Sequence, residues 1–198
     1  MMAQHTATLE NTKMRALREG IKLLQIHGYN GFSFQDLATV LGIRKASLYS
    51  HFKSKEDFGL AILDHHAAQF NQWCATIDGF GAWDKLKAYF DLFYTFGTQF
   101  SGMCPLCAFA SDQQSLPQSI KAALEKNSKI RRDWMIIIIE QGQHKKEFRT
   151  DLPPTGLAEM ILAVSFGVQL SARTFTHADH IHIVREQIEI LLKPGSVR

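Results

Sequence analysis

The sequence predicts an all-α fold in which a small three-helix N-terminal domain precedes a larger helical bundle. Three observations carry that prediction. Apolar residues recur at steps of three and four along nearly the whole chain, while the strict alternation of a half-buried strand is scarce. Only five prolines occur in 198 residues, and they fall where helices start or stop. Two capping signatures punctuate the first sixty or so positions, each ahead of an apolar run.

Met14, Leu17, Ile21 and Leu24 predict a first amphipathic helix, stopped by Gly28-Tyr29-Asn30-Gly31. Ser33, with Asp36 three residues on, opens a second helix whose inner stripe is Phe34, Leu37, Ala38 and Leu41. Gly42 ends it, and within a few residues Ala46, Leu48 and Phe52 predict a third, short helix. Ser54 and Asp57 repeat the capping signature and open a longer helix through Leu60, Leu63 and Phe70. Gly79 and Gly81 then separate it from a helix over about Trp83 to Phe100. Ser101-Gly102 breaks again, and Pro105 suits the first turn of a short helix. Pro117 opens a long helix to about Lys146. Asp151-Leu152-Pro153-Pro154 is a turn, followed by helices over about Thr155 to Phe175 and His180 to Leu192.

Composition bounds the function. Hydrophobic residues make up 45% of the chain, a globular proportion. The run Trp134 to Ile139 is far short of the roughly twenty residues a membrane span needs. With no signal-like start, the chain is expected to be a cytoplasmic protein without membrane contact. Cys74, Cys104 and Cys107 are too few and odd in number for a secreted disulfide framework. The net charge of +3 is unevenly placed. Residues 1–58 hold eight Lys/Arg and five acids, while the rest of the chain holds fourteen of each. A basic excess confined to one end favours a polyanionic partner there.

A short helix, a glycine turn and a second short helix form the helix-turn-helix plan, in which the first helix braces the second in the major groove. Here the second would begin near Arg44 and turn Arg44, Lys45 and Ser47 outward, with Leu48 and Phe52 in the core. Cations at the tip of a groove-sized helix suit guanine edges or phosphates.

The segment Gly42-Ile43-Arg44-Lys45-Ala46-Ser47-Leu48-Tyr49-Ser50-His51-Phe52-Lys53-Ser54-Lys55-Glu56 closely resembles the signature of the TetR family of bacterial regulators. Gly28-Tyr29 and Phe32-Ser33-Phe34-Gln35-Asp36-Leu37-Ala38 resemble the same pattern, so the likeness covers about residues 12–60. It implies a DNA-binding domain over 1–55, with Tyr49, His51 and Lys55 touching phosphates of double-stranded operator DNA. The plainer alternative is that Tyr49 packs on the first helix and Lys55 is solvated. Two positions depart from the pattern. Arg44 stands where a small hydroxyl residue usually caps the recognition helix, and Ser50 where an aromatic or basic residue is common.

The resemblance further implies that residues 56–198 form a ligand-binding and dimerisation domain, making the protein a repressor released by a small-molecule inducer. Trp73, Phe93, Phe109, Trp134 and Phe166 are its candidate pocket residues, although aromatics at helical spacing are commonly core. The last two helices, carrying Leu157, Ile161, Val164, Val168 and then Val184, Ile188 and Leu191, would pair across a homodimer axis. Two half-sites about one DNA turn apart require such a dimer.

Met103-Cys104-Pro105-Leu106-Cys107 is the most unusual local feature. Cys104 lies just before a proline-started helix, and its position resembles that of an electrophile-sensing subgroup of the family. An electrophilic inducer acting at Cys104, with Cys107 resolving, therefore stands beside an inert buried pair. The enzyme alternative is a thiol-disulfide oxidoreductase using Cys104 and Cys107, which lacks the βαβ setting of such motifs. No catalytic constellation, cofactor motif or metal-ligand cluster is expected; His177, His180 and His182 read as a polar helix start, and zinc on Cys104, Cys107 and His65 as remote.

Overall fold

A computed structural model describes residues 2–99, 103–174 and 180–194, and the side chains of 12–92, 103–174 and 180–194. The elements are α1 (Met2–His27), α2 (Phe34–Leu41), α3 (Lys45–Tyr49), α4 (Lys55–Thr76), α5 (Ala82–Gln99), α6 (Pro105–Ser111), a 3-10 turn (Gln113–Ser115), α7 (Gln118–His144), α8 (Pro154–Ser171) and α9 (His180–Leu192). Among the described residues there is no strand, and the all-α prediction holds. The helix ends predicted at Phe100 and Phe175, residue His177 and the side chain of Phe93 lie outside the described residues. The chain divides into two compact units: Met1–Asn71 with Pro105–Asn127, and Gln72–Cys104 with Ser128–Arg198.

The first unit is organised around Phe58. Its ring lies edge-on to Phe52 at 4.8 Å, to Phe34 at 5.7 Å and to Phe32 at 6.4 Å between centroids. Burying a phenylalanine of this kind contributes about 2–3 kcal/mol. It fits because α1 carries glycine at position 20, where any Cβ would come within 2.2 Å of the Phe58 ring. The inner face of α1 is thus Ala16, Leu17, Gly20 and Leu24. Met14, expected inside, is exposed, and Ile21 is half-buried. The stripe is rotated because close approach at Gly20, invisible to a hydrophobicity count, sets the face.

Helix α2 starts with the predicted capping box: Ser33 Oγ accepts from the Asp36 amide, and Asp36 Oδ2 accepts from the Ser33 amide at 2.7 Å. It ends at Gly42, whose φ of +67° is the left-handed conformation that glycine adopts without a Cβ clash. The Ile43 amide then reaches back to the Ala38 carbonyl, closing the helix end. The second capping signature forms with a shift. Ser54 Oγ accepts from the Asp57 amide, while Asp57 Oδ2 takes the amide of Lys53 rather than that of Ser54.

In the second unit, Leu86, Tyr89 and Phe90 of α5 are buried, as are Met135, Ile138 and Ile139 of α7. Phe148 lies edge-on to Trp83 at 4.6 Å. The Arg149 amide donates to the Leu192 carbonyl, tying the α7–α8 connection to the end of α9. Leu157, Ile161, Val168 and Ile188 face this unit's own core, with Ile188 only 3% exposed. Their assignment to a dimer stripe is corrected accordingly. The exposed faces of α8 and α9 instead carry Ala163, Gly167 and Leu170, and Ile183, Ile190 and Leu191. No helix among the described residues is long and apolar enough to cross a membrane.

Candidate functional site

Helix α3 is five residues long and hangs on two buried anchors, Leu48 within it and Phe52 just after it. With one face fixed, Arg44, Lys45 and Ser47 are left exposed. Arg44 occupies the N-cap position in extended conformation, and its side chain makes no capping hydrogen bond, as its chemistry dictates. Ser50 closes the helix by donating to the Ser47 carbonyl at 2.7 Å.

Tyr49 is packed on one side and open on the other. Its ring lies edge-on to Phe34 at 5.2 Å, yet the residue is 50% exposed. His51 is half-buried beside Phe52. Lys55 is the more engaged cation: its Nζ donates to the Phe32 carbonyl and lies 4.8 Å from the ring centroids of both Tyr29 and Phe32. Burial pushes its pKa down, against the opposing pull of the Asp112 and Asp36 carboxylates. Two further basic residues, unmarked by the sequence reading, sit beside this motif. Lys13 lies over the Phe52 ring at 5.9 Å, and Arg15 reaches the Leu41 carbonyl at 3.4 Å. The basic excess of residues 1–58, to which both belong, was the available signal.

The candidate sensing residues divide between the units. Trp73 and Trp134 meet in the second unit at 5.4 Å between ring centroids, and Tyr89 adjoins Trp134 at 5.6 Å. Phe166, also in that unit, is half-buried. Phe109 belongs to the first unit, fully buried against Tyr29 at 5.7 Å. None of the three cysteines is in a disulfide. Cys104 is 3% exposed, and its amide donates to Gln169 Oε1 at 2.7 Å. Gln169 Nε2 donates in turn to the Ser165 carbonyl, and Ser165 Oγ to that of Ile161. A buried ladder of polar groups on α8 thus holds the Cys104 backbone, an arrangement for which nothing in the sequence gave a signal. Cys107 is buried in the first unit. Cys74 is half-buried, and burial pushes its thiol pKa up to about 11. Among the described residues no three His, Cys, Asp or Glu side chains are grouped to hold a metal.

Residues 16–62 match the family model described as bacterial regulatory proteins, tetR family. Residues 82–188 match the tetracyclin repressor-like C-terminal domain. This protein is a member of the TetR family. Its fold is closely similar to that of a TetR-family regulator from Agrobacterium tumefaciens, with a TM-score of 0.89 at 22% identity over 93% of this chain and 99% of the other. A TetR regulator from Legionella pneumophila gives 0.83 at 32% identity, covering 92% and 97%. The HTH-type transcriptional repressor NemR of Escherichia coli K12 is 26% identical over 87% of this chain and 88% of its own length. A solved structure of E. coli NemR in its reduced form gives a TM-score of 0.80 at 22% identity, covering 94% and 100%.

TetR-family proteins are transcription regulators and not enzymes, and they generally bind operator DNA as dimers and respond to small-molecule ligands. The oxidoreductase alternative is therefore set aside.

Proposed function

We propose that this TetR-family regulator is a cytoplasmic repressor that binds a palindromic operator as a homodimer through residues 1–55 and is released when an inducer acts on residues 56–198. The observation that carries this reading is α3, braced by Leu48 and Phe52 and presenting Arg44, Lys45 and Ser47 outward. In this reading those three approach base edges, while Tyr49, His51 and Lys55 lie against phosphates. Lys55 has three N–H donors, so an ammonium holding the Phe32 carbonyl still has donors for a phosphate.

For the inducer, the reading extends to reactive electrophiles or oxidants at Cys104. It is supported by the resemblance around Met103-Cys104-Pro105 and by a relative, NemR, whose solved form is specified as reduced. Because Cys104 is buried, a reagent reaches it only through local opening, so the response is slow without operator and slower with it.

Fluorescence anisotropy with an operator selected in vitro tests the reading. Affinity is expected to fall steeply as salt rises. Addition of a quinone or hypochlorite is expected to release the DNA, with Cys104→Ser retaining operator binding and losing the response. Cys107→Ser should at most blunt the oxidant response. A Cys104→Ser protein that still releases normally removes cysteine sensing and leaves a non-covalent ligand at the aromatic residues.

A further inference from the structure

The second unit buries two cations. Lys85, in the first turn of α5, is 7% exposed, and Arg131 of α7 is 5% exposed. Among the described residues no carboxylate lies within ion-pairing distance of Lys85. Its ammonium donates instead to the neutral amide Oε1 of Gln141, over a long 3.4 Å. A charge taken out of water is costly unless an opposite charge or strong hydrogen bonds replace the solvent. A lone long bond to an amide is a weak replacement.

Aromatic rings lie between the two cations. Tyr89, one turn beyond Lys85 on α5, adjoins Trp134, which in turn adjoins Trp73 of α4. On α7, Arg131 precedes Trp134 by three residues and Gln141 follows it by seven, so all three share one helix face. Helices α5 and α7 run antiparallel here, with Lys85 meeting Gln141 and Tyr89 meeting Trp134. Lys85 and Gln141 therefore stand at one end of the rings and Arg131 at the other, about 15 Å away along α7. Cys74, beside Trp73, feels both charges, that of Arg131 more strongly. Trp73, Cys74 and Trp134 keep partial exposure, so the two tryptophan rings are reachable from solvent, while Tyr89 is buried behind them.

We propose that α4, α5 and α7 frame a binding site for an organic anion with a flat apolar body, whose carboxylate is received by the Lys85 ammonium and the Gln141 side-chain N–H groups and whose body lies against Trp73, Tyr89 and Trp134. The proposal rests on the ligand-responsive reading and names the chemical class of the ligand. A neutral aromatic compound would fill the same rings without using either cation. A carboxylate supplies the charged acceptor that Lys85 lacks among the described residues, and charge-assisted hydrogen bonds are about twice as strong as neutral ones.

The test titrates the full-length protein with benzoate, 2-naphthoate and indole-3-acetate, and with the neutral amide of each. Quenching of tryptophan fluorescence and thermal shift are read together. At least one acid is expected to bind roughly tenfold or more tightly than its amide. Lys85→Met should bring the acid down to the amide's affinity. Gln141→Leu, at an exposed position where the fold tolerates change, should weaken the acid severalfold and carries the test if Lys85→Met does not fold. Acids binding no tighter than their amides, or no acid binding while the protein still binds its operator, overturns the proposal. Unchanged acid affinity in both variants does so too. Failure of the unliganded protein to bind any operator strikes the regulator reading itself, so the two failures are distinguishable.

Discussion

The amide of Asn30 donates to Asp112 Oδ2 at 3.1 Å, joining the turn after α1 to the end of α6 across 82 residues of sequence. Asn30 Nδ2 donates to Ser115 Oγ at 2.7 Å, and Tyr29 meets Phe109 next to them. The segment that follows Cys104 is thereby fastened to the turn that leads into the helix-turn-helix. Asp112→Ala removes the acceptor from a main-chain donor and should destabilise the first unit by about 1 kcal/mol. Urea unfolding followed by circular dichroism measures it. A variant as stable as wild type would mean that the Tyr29–Phe109 contact alone holds the segment.

Phosphate and base contacts separate by selectivity. Tyr49→Phe keeps the ring against Phe34 and removes only the hydroxyl, so it should weaken operator and random DNA alike. Lys45→Ala should relax preference at one or two operator positions, at about 1–3 kcal/mol per lost base contact. Selection from a randomised library gives both answers in one experiment. An altered base preference in the Tyr49 variant, or an unaltered one in the Lys45 variant, would reverse the assignments.

The dimer surface should depend on the outward faces of α8 and α9. Ile190, 57% exposed in the monomer, placed in an interface, tolerates no unpaired charge. Ile190→Asp should yield folded monomers by sedimentation, with operator binding lost. Ile188→Asp should instead lower stability severely, because that side chain is interior to one subunit. Folded dimers from the Ile190 variant would move the interface to another surface.

The thiol of Cys74 carries a signed dependence on pH. Burial raises its pKa to about 11 from an ordinary value near 9.0. The unfolded chain thus loses this proton first, and the stability that the neutral thiol contributes is full below about pH 9 and falls as pH rises towards 11. Relative to Cys74→Ala, the wild type should lose unfolding free energy across that window. Parallel pH profiles for the two proteins would show that the thiol is not held neutral by its surroundings.

Helix order and the helix-turn-helix were legible because both rest on local chemistry: caps at Ser33 and Ser54, the left-handed stop at Gly42, and the apolar spacing of Leu48 and Phe52. What escaped was long-range. Met14 and Ala16 exchange places because Gly20 must face Phe58, and Ile188 turns inward because the ends of α8 and α9 close on one subunit's core. Lys85 occupies an inward position of α5, between Ala82 and Leu86, and a charge at such a position is a signal that periodicity does carry. The ladder from Gln169 to Cys104 spans 65 residues, and no spacing rule reaches that far.

Gly20 has a genetic consequence. It is buried and bears no side chain, yet the ring it admits packs on Phe34 and Phe52, and Phe52 anchors α3. Alleles that abolish repression should therefore fall into two groups, one on the outward face of α3 and one at interior positions such as 20. The second group would look innocent beside a footprint of the operator. A screen for derepressed colonies should recover Gly20→Ala alongside Lys45 substitutions, and second-site changes that shrink Phe58 should restore repression to the glycine mutant alone.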